Sequence, residues 1–161
     1  GYKNTEIGEI PEEWEVARLG DKDEERIADV IMGQSPPSSS YNEEGDGLPF
    51  LQGKAEFGEI YPIPKIYTSK PMKIAERGDV LISVRAPVGE INLAPSKCCI
   101  GRGLSAIRPN PTRLDYSFAF YYFKQASHRW LAMATGSTFG AIKKEDLSTF
   151  LLTLPPLPEQ R

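Results

Sequence analysis

Residues 77–103 read Arg-Gly-Asp-Val-Leu-Ile-Ser-Val-Arg-Ala-Pro-Val-Gly-Glu-Ile-Asn-Leu-Ala-Pro-Ser-Lys-Cys-Cys-Ile-Gly-Arg-Gly, and this stretch decides the fold class. Its two apolar runs, 80–84 and 91–94, have the length of strands and are cut off by Pro and Gly. A turn carrying an arginine punctuates each run. Arg85 leaves the first just before Ala86-Pro87, and Arg102 stands between Gly101 and Gly103, just after Cys99-Ile100. Glycine and proline hold such turns in fixed shapes. A guanidinium on a fixed turn can grip a phosphate or a guanine edge, which one on a mobile loop does poorly.

Outward from this stretch the same texture continues. Short apolar runs at 61–64, 72–75, 80–84 and 91–94, separated by Gly and Pro, predict an irregular β region from 57 to 104. Residues 104–108 add a strand that Pro109-Asn110-Pro111 stops. Upstream, Gly8 and Pro11 deny a long helix. Trp14, Val16 and Leu19 predict an opening strand that sets a tryptophan in the core. An acidic turn is expected at 21–25, a strand at 26–32 with Ile27, Val30 and Ile31, and another at 48–52. Between these two strands, residues 33–47 make a turn-rich loop, long enough to suggest a functional role.

Downstream the texture changes. Residues 114–134 contain no Pro or Gly. Leu114, Phe118, Tyr121, Tyr122, Ala126 and Trp130 recur at spacings of three or four, which predicts an amphipathic helix. Thr112 or Asp115 would cap its start and Gly136 its end. A turn at 135–140, a short helical or turn segment at 141–147 and a last strand at 149–154 complete the chain, closed by Pro155-Pro156-Leu157-Pro158. The expected fold is α+β: an irregular β-rich domain of many short strands with one long amphipathic helix near the C-terminus.

With 161 residues, the chain is expected to form one domain with a real core. It has no apolar run of transmembrane length and no apolar signal region at Gly1-Tyr2-Lys3-Asn4. The missing initiator Met suggests an excised piece of a longer chain. Cys98 and Cys99 are adjacent, a spacing that suits neither a mutual disulfide nor a zinc site, so two buried or half-buried thiols in a reducing cytoplasm are expected. The net charge of −3 is unevenly spread: −10 over residues 1–60, +6 over 61–113 and +1 over 114–161. The basic middle third contains the opening stretch. A positive face on an acidic protein can still bind phosphate, because charges more than about 8 Å away are screened at physiological salt.

Catalytic signatures are missing. The single histidine, His128, falls inside the predicted helix. No Gly-x-x-x-x-Gly-Lys-Ser/Thr loop occurs. Gly101-Arg102-Gly103 has no third glycine at dinucleotide-loop spacing and no βαβ unit around it. Asn110-Pro111-Thr112 does not substitute for the Asn-Pro-Pro-aromatic motif of adenine methylation. The acidic residues form surface-like runs. These features point to binding and not to an enzyme.

The order of segments resembles the target recognition domain of the specificity (S) subunit of type I restriction–modification systems. The similar stretches are Gly8-Glu9-Ile10-Pro11-Glu12-Glu13-Trp14-Glu15-Val16, Gly33-Gln34-Ser35-Pro36-Pro37-Ser38, Gly47-Leu48-Pro49-Phe50-Leu51-Gln52-Gly53, and Gly78-Asp79-Val80-Leu81-Ile82-Ser83-Val84-Arg85-Ala86-Pro87-Val88-Gly89. Thr135-Gly136-Ser137-Thr138 and Leu154-Pro155-Pro156-Leu157-Pro158-Glu159-Gln160 complete the set. The resemblance implies two such domains in a full subunit, joined by two long helices, each reading half of a split double-stranded DNA site. It implies partner subunits that methylate adenine, and a restriction and translocation subunit acting through them. S-adenosylmethionine, ATP and Mg would belong to those partners, with no cofactor in this chain. The chain stops at Arg161, where the family's spacer helix would begin, so residues 1–161 are expected to be a single recognition domain. No membrane partner is implied, and the expected location is cytoplasmic.

Reading DNA requires phosphate contacts for position and base contacts for sequence. Arg85 and Arg102 are the first candidates; the rival role for either is pairing with a carboxylate or a backbone carbonyl. Gln34 and Ser35 lie in the long loop, and Gln can bind an adenine edge with two hydrogen bonds. Tyr41 contacts a phosphate or base, or folds the loop back on itself. Lys54 follows Gln52-Gly53 and can reach a phosphate. Ser137 and Thr138 lie in a glycine-flanked turn whose N–H groups could hold a phosphate, and Lys143 and Lys144 extend that surface or are simply solvated. A framework shared by domains with different targets cannot choose the target. Residues 80–89 therefore read as scaffold, which leaves Arg102 and the loop at 34–42 as the sharper candidates for base reading. The alternative to DNA binding is a β-rich interaction or scaffold module whose basic third docks an acidic partner.

Overall fold

The structure is a computed structural model that describes residues 1–20, 26–137 and 140–161. The acidic turn expected at 21–25, together with Thr138 and Phe139, lies outside the described residues. In chain order the strands are β1 (Tyr2–Thr5), β2 (Gly8–Pro11), β3 (Glu15–Arg18), β4 (Ala28–Met32), β5 (Tyr41–Asn42), β6 (Leu48–Leu51), β7 (Ile66–Thr68), β8 (Ile74–Ala75), β9 (Val80–Ser83), β10 (Ile91–Leu93), β11 (Cys98–Ile100), β12 (Leu104–Pro109) and β13 (Leu151–Leu154). The helices are α1 (Tyr116–Gln125), α2 (Ser127–Thr135), α3 (Lys144–Ser148) and α4 (Leu157–Gln160).

All four residues of β9 are buried, so its apolar run does not alternate with polar residues. The reason is cover on both faces. β9 lies inside an antiparallel sheet ordered β10-β9-β12-β4. One face of this sheet carries Val80, Ile82, Ile107 and Val30 into a core shared with Phe120, Phe123, Trp130 and Phe150. The other face carries Leu81, Ala106 and Leu104 into a second core with Leu51, Cys98 and Ile100. The register agrees: Ile107 sits opposite Val80 and Val30, and Ala106 sits opposite Leu81 and Ile31. The second core is closed by a five-stranded sheet ordered β5-β7-β6-β11-β8, in which only the β6–β11 pair is parallel. Two small antiparallel pairs, β1–β2 and β3–β13, complete the strands.

The α+β class holds, as does the β-rich texture, and three local expectations change. The single helix over 114–134 is two helices. Asp115 caps α1 as expected, accepting from the N–H groups of Ser117 and Phe118. Ala126, at φ −87° and ψ 14°, then leaves the helical geometry. The break lets Trp130 turn inward: its indole N–H donates to the Phe123 carbonyl at 2.9 Å, and its ring stacks on Phe150 at 4.1 Å. The core tryptophan is therefore Trp130; Trp14 is half-buried, and its indole N–H donates to Glu159 at 2.9 Å. Lastly, Cys98–Ile100 and Ile66–Thr68 are strands, whereas residues 61–64 are not. The β11 run is too short to stand out by periodicity and is ordered by pairing with β6 and β8.

Candidate nucleic-acid interface

Three chain segments emerge side by side at one end of the two sheets. β4 runs out into Gly33-Gln34-Ser35, β6 into Gln52-Gly53-Lys54 and β11 into Gly101-Arg102-Gly103. Backbone hydrogen bonds stitch them together. The Gly33 N–H donates to the Leu104 carbonyl at 2.9 Å, that of Gln34 to Ile100 at 3.0 Å, and that of Gly101 to Leu51 at 2.8 Å. The 101–103 turn is the middle segment. The fit depends on glycine: a Cβ on Gly33 would lie 1.9 Å from the Gly101 carbonyl oxygen, and one on Gly103 would lie 2.7 Å from that of Gln52. The Arg102 N–H also donates to Ser35 Oγ at 3.4 Å. The side chains of Gln34, Gln52, Lys54 and Arg102 are all exposed.

Arg85 joins the same end. Buried Ser83 shapes its turn: the Oγ donates to the Pro87 carbonyl at 2.8 Å and accepts from the Glu90 N–H at 2.9 Å. Gly89, at φ +83°, packs where a Cβ would be 2.9 Å from that of Trp130. The Val84 N–H donates to the Gly103 carbonyl at 2.9 Å, which sets the Arg85 turn beside Arg102. The Ile142 N–H donates to the Val84 carbonyl at 2.8 Å and brings Lys143 alongside. Backbone hydrogen bonds thus bring the segments that carry Gln34, Ser35, Lys54, Arg85, Arg102 and Lys143 to one end of the sheets.

The remaining candidates stand elsewhere. Tyr41 is half-buried; its hydroxyl donates to the Pro36 carbonyl at 3.1 Å and its ring lies 4.9 Å from Phe50, so it folds the loop back on the sheet. Ser137 is half-buried, and its N–H donates to the Ala134 carbonyl at 3.1 Å, closing α2 instead of pointing outward. Thr138 lies outside the described residues. Lys144 lines a groove of about 460 Å³ along β4 with Arg26, Asp29 and Arg108. Gln52 was not singled out by sequence reasoning because it closes an apolar run and reads as the last strand residue. The Gly53-Lys54 that follows it was the available signal.

The basic third divides into paired and free cations. The Arg108 guanidinium holds buried Asp79 through Nη2 at 2.9 Å and Nε at 3.1 Å, and lies 3.3 Å from Glu76. Burial pushes the Asp79 carboxyl up against the pull of Arg108, and the hydrogen bond to Asp79 raises Arg108 in turn. Arg113 pairs with Glu15 at 2.6 Å. Arg85 and Arg102, by contrast, form no side-chain hydrogen bond or ion pair among the described residues. No metal-binding cluster occurs among the described residues, and no helix among them is long and apolar enough to cross a membrane. His128 is an exposed residue of α2.

A family model described as "Type I restriction modification DNA specificity domain" matches residues 11–161. The chain is 55% identical over 160 residues to the protein named as the MjaX specificity subunit of a type I restriction enzyme from Methanocaldococcus jannaschii, covering 99% of this chain and 37% of that one. It superposes on a chain from a study of complex assembly and conformational transition of the type I R-M system with a TM-score of 0.84 and 51% identity, covering 94% of this chain and 36% of that one. The crystal structure of the HsdS subunit from Thermoanaerobacter tengcongensis matches with a TM-score of 0.81 and 49% identity, again over 94% and 36% of the two chains. The chain therefore spans a little over a third of the length of these relatives.

Proposed function

Because the chain belongs to the family of type I restriction modification DNA specificity domains, we propose that residues 1–161 are one target recognition domain, which binds double-stranded DNA and reads one half of a bipartite site. The observation that carries this reading is the common sheet end, where Arg85 and Arg102, exposed and unpaired among the described residues, sit on backbone-anchored turns among Gln34, Lys54 and Lys143. Anchored turns lose little freedom on binding, so more of each contact's energy appears as affinity. Lys54, Lys143 and Arg85 supply positive charge for phosphates, and Arg102 supplies a two-pronged donor for a guanine edge. The domain reads and does not react. Methyltransferase subunits, and through them the restriction and translocation subunit, carry the chemistry in the cytoplasm, and S-adenosylmethionine, ATP and Mg serve those partners.

A salt titration on duplex DNA tests the reading. With about four phosphate contacts, affinity falls about 100-fold between roughly 50 and 200 mM salt. Arg102→Ala is expected to weaken binding to the preferred duplex by about tenfold or more while changing random-sequence binding little. Equal affinity and selectivity in the variant would remove Arg102 from the site. If the intact chain binds no duplex even at low salt, the reading as a module docking an acidic partner replaces it.

A further inference from the structure

The three segments at the sheet end present their tip side chains in a fixed order. Gln34 stands on one side of the 101–103 turn and Gln52 on the other, with Arg102 between them. The order follows from the bonds already described: Gln34 N–H to Ile100, Gly101 N–H to Leu51, and the closely packed carbonyls of Gly101 and Gln52. Backbones paired in this way run about 5 Å apart, so the two glutamines are set about 10 Å apart across the arginine. Successive base pairs are about 3.4 Å apart along a strand. A row about 10 Å long therefore covers about three neighbouring base pairs.

The chemistry of the row is also ordered. An arginine suits the two acceptors of guanine, O6 and N7; a glutamine suits the acceptor and donor of adenine, N7 and N6. All three side chains are exposed, and neither Gln34 nor Gln52 makes a side-chain hydrogen bond among the described residues. Resting on the DNA-reading function proposed above, we infer that Gln52 is a further specificity-determining residue, and that Gln34, Arg102 and Gln52 together read a G·C pair flanked on each side by an A·T pair. Ser35 acts behind the row as a positioning residue: its Oγ accepts from the Arg102 N–H.

The test starts from a duplex pool with a randomised core, from which the 161-residue chain selects its preferred sequence. Affinities are then measured on duplexes substituted one base pair at a time. The selected core is expected to contain A·T, G·C and A·T as neighbours. Gln52→Ala should lose about tenfold discrimination at one flanking pair only, and Gln34→Ala at the other. Gln52→Glu should move the preference at its own pair towards cytosine, whose exocyclic amine donates to a carboxylate. The inference is overturned if Gln52→Ala binds every duplex with wild-type selectivity, or weakens all of them equally as a phosphate contact would. Both outcomes leave DNA binding intact; failure of the unsubstituted chain to select any sequence overturns the function itself.

Discussion

Arg102 and Arg108 both lie at strand ends in the basic third, and their surroundings give them opposite roles. Arg108 is held by buried Asp79, so its charge is spent inside the protein. Arg102 has its backbone held by Ser35 and its side chain exposed, without a partner among the described residues. Nothing local in the two sequences separates these outcomes, because the partner of Arg108 lies 29 residues away. The cysteines were legible by contrast: an adjacent pair with no second pair is expected to stay as buried or half-buried thiols, and both are free and buried. Burial pushes the Cys98 thiol up to about 12, with the Asp79 charge and Cys99 adding to the effect, and burial raises Cys99 as well. The reactive form is the thiolate, so a raised value suppresses reaction at all pH values well below it. At pH 8 the Cys98 thiol therefore stays protonated. Iodoacetamide at pH 8 should therefore label neither thiol of the native protein and both in denaturant. Labelling of native protein within minutes would show that this core opens readily.

At the scale of elements, the strand and helix positions were largely readable because hydrophobic period and Gly/Pro punctuation act locally. The exceptions are informative. β11 is only three residues long and is made by its neighbours, and the predicted long helix breaks at Ala126 because Trp130 gains more inside the core than along the helix. Where strand ends meet is a tertiary matter, and Gly33 is the place to test it. Gly33→Ala drives a methyl group into the Gly101 carbonyl and should cost about 1–3 kcal/mol, as overpacking does. It should also weaken DNA binding, although it removes no contacting group. Gly53→Ala is the control: at φ −170° the backbone suits any residue, nothing lies within 4 Å of the added Cβ, and stability should change by less than about 0.5 kcal/mol. Urea denaturation of the two variants distinguishes them; equal stability would mean that the segments can separate freely.

Across the whole molecule, the central sheet divides the protein into two cores, and β9 belongs to both. Leu81 and Ile82 are neighbours in sequence yet serve different cores. Leu81→Ala and Ile82→Ala should each cost about 2–5 kcal/mol. Each variant should still unfold in one transition seen alike by fluorescence and circular dichroism, since neither core survives without the shared sheet. A stepwise transition in either variant would show that the cores fold separately. The sequence alone determined the α+β class, the strands near 26–32, 48–52, 80–84, 91–94 and 104–108, the helical C-terminal third, the basic middle third and the family likeness. These depend on local period, composition and motif order, all of which are written along the chain. The tertiary structure alone decided which cations pair among the described residues, that the segments carrying Gln34, Gln52 and Arg102 lie side by side, and that Tyr41 bonds back to its own loop. Those outcomes rest on contacts such as Ser35 with Arg102, across 67 residues. Such contacts arise only when burial of both sheet faces brings distant strand ends together.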